Sequence, residues 1–168
     1  GVEVHSLSKG FDMIGWRIGW VCGHERLVQA YADVKDNSDS GQFMAIQNAA
    51  AAALDDASIP QRTREKYRRR LTKLVETLKS CGFQCSMPGG SYFLYTKSPI
   101  GTQGGETFAD AESASQFLIT QQSIVTVPWD DAGAFLRFSV TYEAANEAEE
   151  DSLMAETKKR LEQIKLKF

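Results

Sequence analysis

The sequence predicts a mixed fold, in which a short α/β segment is followed by a larger α+β unit. Near the start of the chain, two strand patterns are followed by two helical patterns. From Asp55 onward, helical patterns surround several short strands, which is typical of an α+β unit with a small antiparallel or mixed sheet. We therefore expect two domains, residues 1–54 and residues 55–168.

The first segment opens with two strand patterns. Val2 to His5 alternates apolar and polar residues and predicts the end of a strand that leads into a loop. Arg17 to Cys22 is mostly apolar and is closed by Gly23, which is the pattern of a buried parallel strand. We therefore expect Arg17 to lie on a strand with parallel neighbours.

Two helices complete this segment. Apolar residues recur at helical spacing between Glu25 and Lys35, and the turn-forming residues 36–41 end the pattern. Residues 42–54 are rich in alanine and predict a second helix whose small side chains permit close packing.

Longer helices frame the second unit. Pro60 is tolerated in the first turn of a helix and begins a pattern that runs to Ser80, before Gly82. Further helices are predicted for residues 111–121 and 144–165. The strands predicted between these helices are short and comprise residues 84–87, 92–96, 124–127 and 135–140, with a loop at residues 98–106.

The composition indicates a globular protein without a strongly charged partner. The 168 residues are 42% hydrophobic and 24% charged, and the formal net charge is −3. This balance gives no general electrostatic reason to bind nucleic acid or an anionic membrane, and the basic residues 62–70 are expected to form a solvated helix face. No apolar run approaches the ~20 residues that span a bilayer, and the N-terminus lacks a signal-peptide pattern. We expect a cytoplasmic protein whose partners are small molecules or another protein.

The cysteines and histidines do not indicate a metal site or a disulfide framework. Cys22, Cys81 and Cys85 form no Cys-x-x-Cys pair, and their number is odd. His5 and His24 have no recognisable metal-ligand spacing, so we predict no metal. A Ser-His-Asp triad would lack the Gly-x-Ser-x-Gly turn that usually presents its serine.

The most informative stretch is Ser6-Leu7-Ser8-Lys9, which Arg17 follows eight residues after the lysine. A lysine amine can bond covalently to an aldehyde, whereas serine hydroxyls and a planar guanidinium bind phosphate oxygens. This combination suits an enzyme that binds an aldehyde cofactor carrying a phosphate. Taken alone, Lys9 also fits a solvated turn residue, so the interpretation depends on the three residues together.

The Ser-x-Ser-Lys run, Arg17 and the later run Leu136-Arg137-Phe138-Ser139 resemble the class I/II aminotransferases that use pyridoxal 5′-phosphate (PLP). The resemblance implies the tail of the large PLP-binding domain of an aspartate-aminotransferase-like fold, followed by the small C-terminal domain with a short, mainly antiparallel sheet. It implies that Lys9 bonds to the cofactor and shuttles the substrate proton, and that Ser6 and Arg17 bind the cofactor phosphate. Such enzymes transfer an amino group between an L-amino acid and a 2-oxo acid, and the full-length protein would be a homodimer.

Arg137 is a second candidate site residue. The alternation in residues 135–140 predicts that Arg137 lies on the face of its strand opposite Leu136 and Phe138. A strand arginine is most often a surface charge, but the resemblance implies that this one binds the α-carboxylate of the substrate.

The resemblance also implies that part of the site lies outside this chain. Family members carry a long segment before the lysine, which supplies the aspartate that pairs with the pyridine nitrogen and the aromatic residue that stacks on the ring. We therefore expect the chain to match less than half of a typical member, its C-terminal portion, and to be inactive alone. In related dimers the loop equivalent to residues 37–42 approaches the neighbouring active site, although an ordinary turn between helices fits equally well.

The motifs are most similar to the branch that contains LL-diaminopimelate, aspartate and alanine-type aminotransferases. Two alternatives remain open at this stage. One is a PLP-dependent lyase or decarboxylase on the same scaffold, and the other is a noncatalytic docking or dimerisation module.

Overall fold

A computed structural model describes residues 1–39 and 41–168 of the chain. Contacts divide it into two compact units, unit 1 (Gly1–Lys66) and unit 2 (Tyr67–Phe168). The boundary between the units falls inside a helix, and the domain boundary predicted after residue 54 stays a prediction. Ser40, in the predicted loop at residues 37–42, lies outside the described residues. Within the described ranges, no helix combines the length and the apolar content that crossing a bilayer requires.

Unit 1 begins with an antiparallel hairpin of β1 (Val2–Ser6) and β2 (Gly19–Gly23). The prediction of a buried parallel strand over residues 17–22 is therefore wrong in its direction and its start. The connecting residues turn back on themselves, with the Leu7 amide bonded to the Ile18 carbonyl, and do not form the long crossover that parallel pairing needs. All five residues of β1 are exposed.

A glycine permits the close pairing of the two strands. Gly19 lies opposite Ser6, and a Cβ atom at Gly19 would collide with the carbonyl oxygen of His5. Any other residue at this position would push the strands apart.

Two helices follow the hairpin, α1 (Glu25–Ser38) and α2 (Met44–Leu54). The side chain of His24 caps α1 by accepting a hydrogen bond from the Arg26 amide at 3.2 Å. The helix continues through part of the turn predicted at residues 36–41, because Asn37 and Ser38 donate hydrogen bonds to carbonyls one turn earlier. Their polar side chains therefore support the last helical turn, where the sequence pattern predicted that the helix had ended.

Three helices contribute to unit 2. Helix α3 (Ser58–Ser80) starts in unit 1 and continues into unit 2, and α4 (Ala111–Gln122) and α5 (Glu147–Ile164) agree closely with the predicted ranges. The apolar core of unit 2 is formed by buried side chains from these helices and the sheet: Leu71, Leu74, Val75, Leu78, Phe83, Leu94, Ala111, Leu118, Leu136, Phe138, Val140, Met154 and Leu161. This contiguous core is the main source of stability expected for unit 2.

The main sheet of unit 2 is antiparallel, as predicted. It has the order β3 (Phe93–Lys97), β6 (Phe135–Ser139) and β5 (Val127–Trp129). A separate pair of short strands joins β4 (Gly101–Thr102), inside the predicted loop, to β7 (Leu166–Lys167). The strand predicted at residues 84–87 is not formed. The Gln84 carbonyl there accepts a hydrogen bond from the Thr96 hydroxyl at 3.4 Å.

The start of α4 is fixed by two carboxylates. Asp110 forms a capping box with Ser113, and these hydrogen bonds lower the pKa of the Asp110 carboxyl. Asp130, directly after β5, accepts hydrogen bonds from the Ala111 and Glu112 amides at 2.9 and 3.2 Å. The end of β5 is therefore tied to the helix beside it.

Candidate functional site

The loop between β1 and β2, residues 7–18, brings the predicted hydroxyl groups together. The Ser6 hydroxyl donates to the Ser8 hydroxyl at 2.9 Å and accepts from the Ser8 amide at 3.1 Å. It also lies 3.5 Å from the carbonyl oxygen of Ile18, the residue after Arg17. The start and the end of the loop are therefore joined at Ser6.

Lys9 lies in a tight turn of the same loop. Its carbonyl accepts a hydrogen bond from the Asp12 amide at 3.4 Å, and a second bond from the Met13 amide to the Leu7 carbonyl closes the loop further. The Lys9 side chain is exposed, whereas the neighbouring Leu7 is fully buried. Burial of Leu7 anchors the loop and leaves the lysine accessible.

Arg17 does not lie on a strand, contrary to prediction. It follows a short 3-10 helix, Ile14–Trp16, and adopts the left-handed conformation with φ 52° and ψ 52°. This backbone conformation costs about 1–2 kcal/mol for a residue with a Cβ atom, and such residues often occur at functional sites. Its Nη1 donates to the Ile14 carbonyl at 3.0 Å. Arg17 also lines an open cavity of about 520 Å³ within unit 1.

Arg137 lies in unit 2, at the centre of the three-stranded sheet. It pairs with Tyr95 on β3 and with Val127 on β5. Leu136 and Phe138 on either side of it are buried in the core, so Arg137 projects from the other face of the sheet, as the alternation predicted.

Aromatic side chains surround the Arg137 guanidinium. Its central carbon lies 4.2 Å from the ring centre of Phe93 and 5.9 Å from that of Trp129. Tyr95, its cross-strand partner, in turn contacts Trp129. Among the described residues, the Nε atom of Arg137 is buried and has no hydrogen-bond partner. A charged donor on an aromatic surface without a partner is well placed for an external carboxylate.

The segment after β6 is held by an ion-pair network of Arg69, Arg70, Lys73 and Glu150. Arg70 and Glu150 are buried, so the solvated face expected for residues 62–70 is wrong at its last residue, whereas Arg69 and Lys73 are partly exposed. Arg70 donates to Glu150 at 2.7 Å and to the carbonyls of residues 140, 142 and 144. Hydrogen bonds from Arg69, and then from Arg70 and Lys73, overcome the opposing effect of burial and lower the pKa of Glu150 to about 2.

Tyr142 lies on this network. The guanidinium of Arg70 is 4.5 Å from the centre of its ring, and its hydroxyl is buried without a partner among the described residues. Burial, followed by the negative charge of Glu150, raises the pKa of the Tyr142 phenol. Tyr142 therefore stays neutral and acts as a packing surface for Arg70.

The structure thus groups the sequence-predicted residues in two places. Ser6 at the end of β1 and Lys9 and Arg17 in the loop that follows lie together in unit 1, whereas Arg137 lies on the sheet of unit 2. The sequence did not assign the aromatic neighbours of Arg137, Phe93 and Trp129. Phe93 and Trp129 belong to the strands on either side of β6. Only the register of β3, β6 and β5 shows that their side chains lie beside Arg137.

A family model for aminotransferase class I and II matches residues 1–152 of the chain. The LL-diaminopimelate aminotransferase of Methanococcus maripaludis is 49% identical over 173 residues, and that of Methanocaldococcus jannaschii is 47% identical over 176 residues. Both alignments cover 100% of this chain and 42% of the relative. The chain therefore spans less than half the length of the curated relatives it matches, as expected.

Solved structures share the fold. Aspartate aminotransferase from Rhizobium meliloti superposes with a TM-score of 0.81 at 25% identity, covering 98% of this chain and 42% of that one. An aminotransferase from Staphylococcus aureus gives a TM-score of 0.78 at 22% identity, covering 97% and 42% of the two chains. The chain therefore shares its fold with part of these larger aminotransferase structures.

Proposed function

The chain belongs to the class I and II aminotransferase family, and we propose that it carries the lysine, phosphate-binding and carboxylate-binding residues of a PLP-dependent aminotransferase. The reaction would transfer an amino group between an L-amino acid and a 2-oxo acid. Because the chain spans 42% of the length of its relatives, we assign this activity to a protein of their length.

The surroundings of Arg137 are the observation that carries the proposal. Burying a guanidinium nitrogen without a partner is unfavourable unless a ligand completes it. The planar guanidinium can bind both oxygens of a carboxylate, and the rings of Phe93 and Trp129 restrict its orientation. We therefore assign Arg137 to the α-carboxylate that all amino-acid and 2-oxo-acid substrates share.

The loop in unit 1 fits the phosphate of PLP. The Ser6 and Ser8 hydroxyls lie 2.9 Å apart, and Arg17 is held in a left-handed backbone conformation close to them in the chain. Two hydroxyl donors and a guanidinium are a suitable donor set for a phosphate dianion. We assign Ser6 and Arg17 to this group.

Lys9 is assigned as the catalytic lysine. Its side chain is exposed on a loop whose backbone is closed by its own hydrogen bonds, so the amine can reach a bound molecule without unfolding the hairpin. We propose that Lys9 Nζ would hold the cofactor through a covalent bond in the resting enzyme. Once the substrate amine had replaced it, the freed Lys9 amine would move the proton at the substrate Cα. PLP, when bound, supplies the electron-withdrawing ring that makes this proton acidic.

LL-diaminopimelate is the substrate we propose, since both relatives close to half identical carry that name. Aspartate is the other substrate that the sequence motifs indicated. A homodimer located in the cytoplasm is also part of this proposal. Sedimentation analysis of the chimera described below would test the dimer.

The test is a chimera in which this chain replaces the matching segment of the Methanococcus maripaludis relative. We expect the chimera to bind PLP and to transaminate LL-diaminopimelate faster than aspartate. Lys9→Ala should abolish turnover, whereas Lys159→Ala, which removes an exposed lysine paired with Glu156 on α5, should leave it unchanged.

Borohydride treatment and peptide mapping should locate the pyridoxyl label on Lys9. Label on Lys35 or Lys97 would refute the assignment of Lys9. A folded chimera that decarboxylates or cleaves amino acids without forming 2-oxo acids would refute transamination.

A further inference from the structure

Three potential metal ligands meet on one face of the β1–β2 hairpin. Glu3 and His5 are two residues apart on β1 and therefore project from the same face. Cys22 on β2 lies directly opposite Glu3 in the register. A carboxylate oxygen, an imidazole nitrogen and the cysteine sulfur all lie within 4.8 Å of one another.

We propose that Glu3, His5 and Cys22 form a binding site for Zn²⁺. Thiolate, imidazole and carboxylate are the three ligand types that zinc sites use, and the mixture does not suit the oxygen-preferring ions Ca²⁺ and Mg²⁺. Ligand atoms around tetrahedral zinc are separated by about 3.3–3.8 Å, given bonds of about 2.0–2.3 Å. Small side-chain rotations would bring the three atoms to that spacing.

The hairpin already orients the ligands. The His5 ring stacks on Trp20 with the ring centres 5.1 Å apart and the planes inclined by 9°, which restricts its rotation. The Nε2 atom of His5 contacts the Glu3 carboxylate at 2.8 Å. In the portion of the protein that this chain spans, all three residues are exposed, and a water molecule or a further ligand can occupy the fourth position on the ion.

The antiparallel register explains why the sequence did not indicate this site. Glu3 and Cys22 are far apart in the chain and become neighbours only because β2 runs back along β1. A search for short metal-ligand spacings around His5 therefore finds no cysteine partner. The zinc proposal does not rest on the aminotransferase proposal, although His5 lines the same cavity as Arg17, whereas Glu3 and Cys22 do not line it.

Zn²⁺ titration of the 168-residue chain, with a chromophoric chelator as competitor, would test the site. We expect one equivalent to bind. Cys22→Ser, His5→Gln and Glu3→Gln should each weaken binding by at least about 10-fold. The matched controls His24→Asn and Cys85→Ala lie outside the cluster and should bind as the unaltered chain does.

Two further measurements identify the ligands directly. Co²⁺ bound in place of zinc should show a thiolate charge-transfer band that Cys22→Ser removes. Hydrogen exchange of the hairpin amides should slow in proportion to zinc occupancy, because the ion joins both strands.

The proposal is overturned if the folded chain binds no Zn²⁺ at micromolar concentration. It is equally overturned if the Cys22 and His5 variants bind as tightly as the unaltered chain, or if the cobalt complex lacks the thiolate band.

Discussion

Units 1 and 2 differ sharply in how many of their apolar side chains are buried. Every described residue of the contiguous hydrophobic core lies in unit 2. In unit 1 the buried apolar side chains among the described residues are Leu7 and Ala50. Ten of the eighteen exposed large apolar residues in the described chain belong to unit 1, although it holds 66 of the 168 residues.

This difference shows that a segment can form regular secondary structure without forming a hydrophobic core. The hairpin and helices of unit 1 satisfy their backbone hydrogen bonds, yet their side chains bury little apolar area against one another. Because apolar burial is the main favourable term in folding, unit 2 should be the stable part of this chain. Local opening of unit 1 should require only a small free energy.

Hydrogen exchange on the 168-residue chain should show the largest effect. We expect amides of β6 to exchange only with an opening free energy of about 5 kcal/mol or more, and those of β1 and β2 with about 0–2 kcal/mol. Slow exchange across residues 6–21 in the monomeric chain would contradict the predicted difference in stability between the two units. Tight PLP binding by the monomer would do so too.

Matched leucine truncations should give the next largest difference. Leu78 is fully buried in unit 2, and Leu78→Ala should lower the free energy of unfolding by about 2–5 kcal/mol. Leu27 in unit 1 is 50% exposed, and Leu27→Ala should change stability by no more than about 0.5 kcal/mol. Urea unfolding followed by circular dichroism would measure both. Equal losses would mean that unit 1 buries more surface than the structure shows.

Acid should weaken unit 2 through Glu150. Its pKa in the folded chain is lowered to about 2 from an ordinary 4.5, first by the hydrogen bond from Arg69. The stabilisation is fully present above the unfolded pKa and is lost as the pH falls through the folded pKa. It amounts to roughly 3 kcal/mol between about pH 5 and pH 2. Urea midpoints across this range would detect the loss, and Glu150→Gln should flatten this part of the profile. An unchanged acid profile in that variant would contradict the assignment.

Substitutions of Arg137 and Arg17 should affect different binding steps, namely substrate binding for Arg137 and PLP binding for Arg17. In the chimera, Arg137→Lys in unit 2 should weaken substrate binding by about 1.5–3 kcal/mol and leave PLP affinity nearly intact, because a two-point contact becomes a one-point contact. Arg17→Lys in unit 1 should instead weaken PLP binding and leave substrate binding nearly unchanged. Substrate KM and PLP titrations would distinguish them. If Arg137→Lys lost PLP while KM stayed constant, the two roles would have to be exchanged or dropped.

The sequence predicted what is locally encoded. The apolar period of α3, the ends of α4 and the alternation around Arg137 all depend on residues close together in the chain, and they agree with the structure. The direction of β2 and the conformation of Arg17 did not follow, since they depend on how residues 7–18 fold back. The Arg70–Glu150 pair depends on two helices meeting, which no local pattern encodes.

The positions of Arg70 and Glu150 also matter during synthesis. The two residues are separated by 80 positions, and Arg70 binds three carbonyls of the segment after β6 as well. At a translation rate of about 5–20 residues per second, roughly 4–16 s pass between the two residues being joined to the growing chain. Arg70 cannot form its ion pair with Glu150 during that interval. The final packing step of unit 2 therefore cannot take place until α5 has been synthesised.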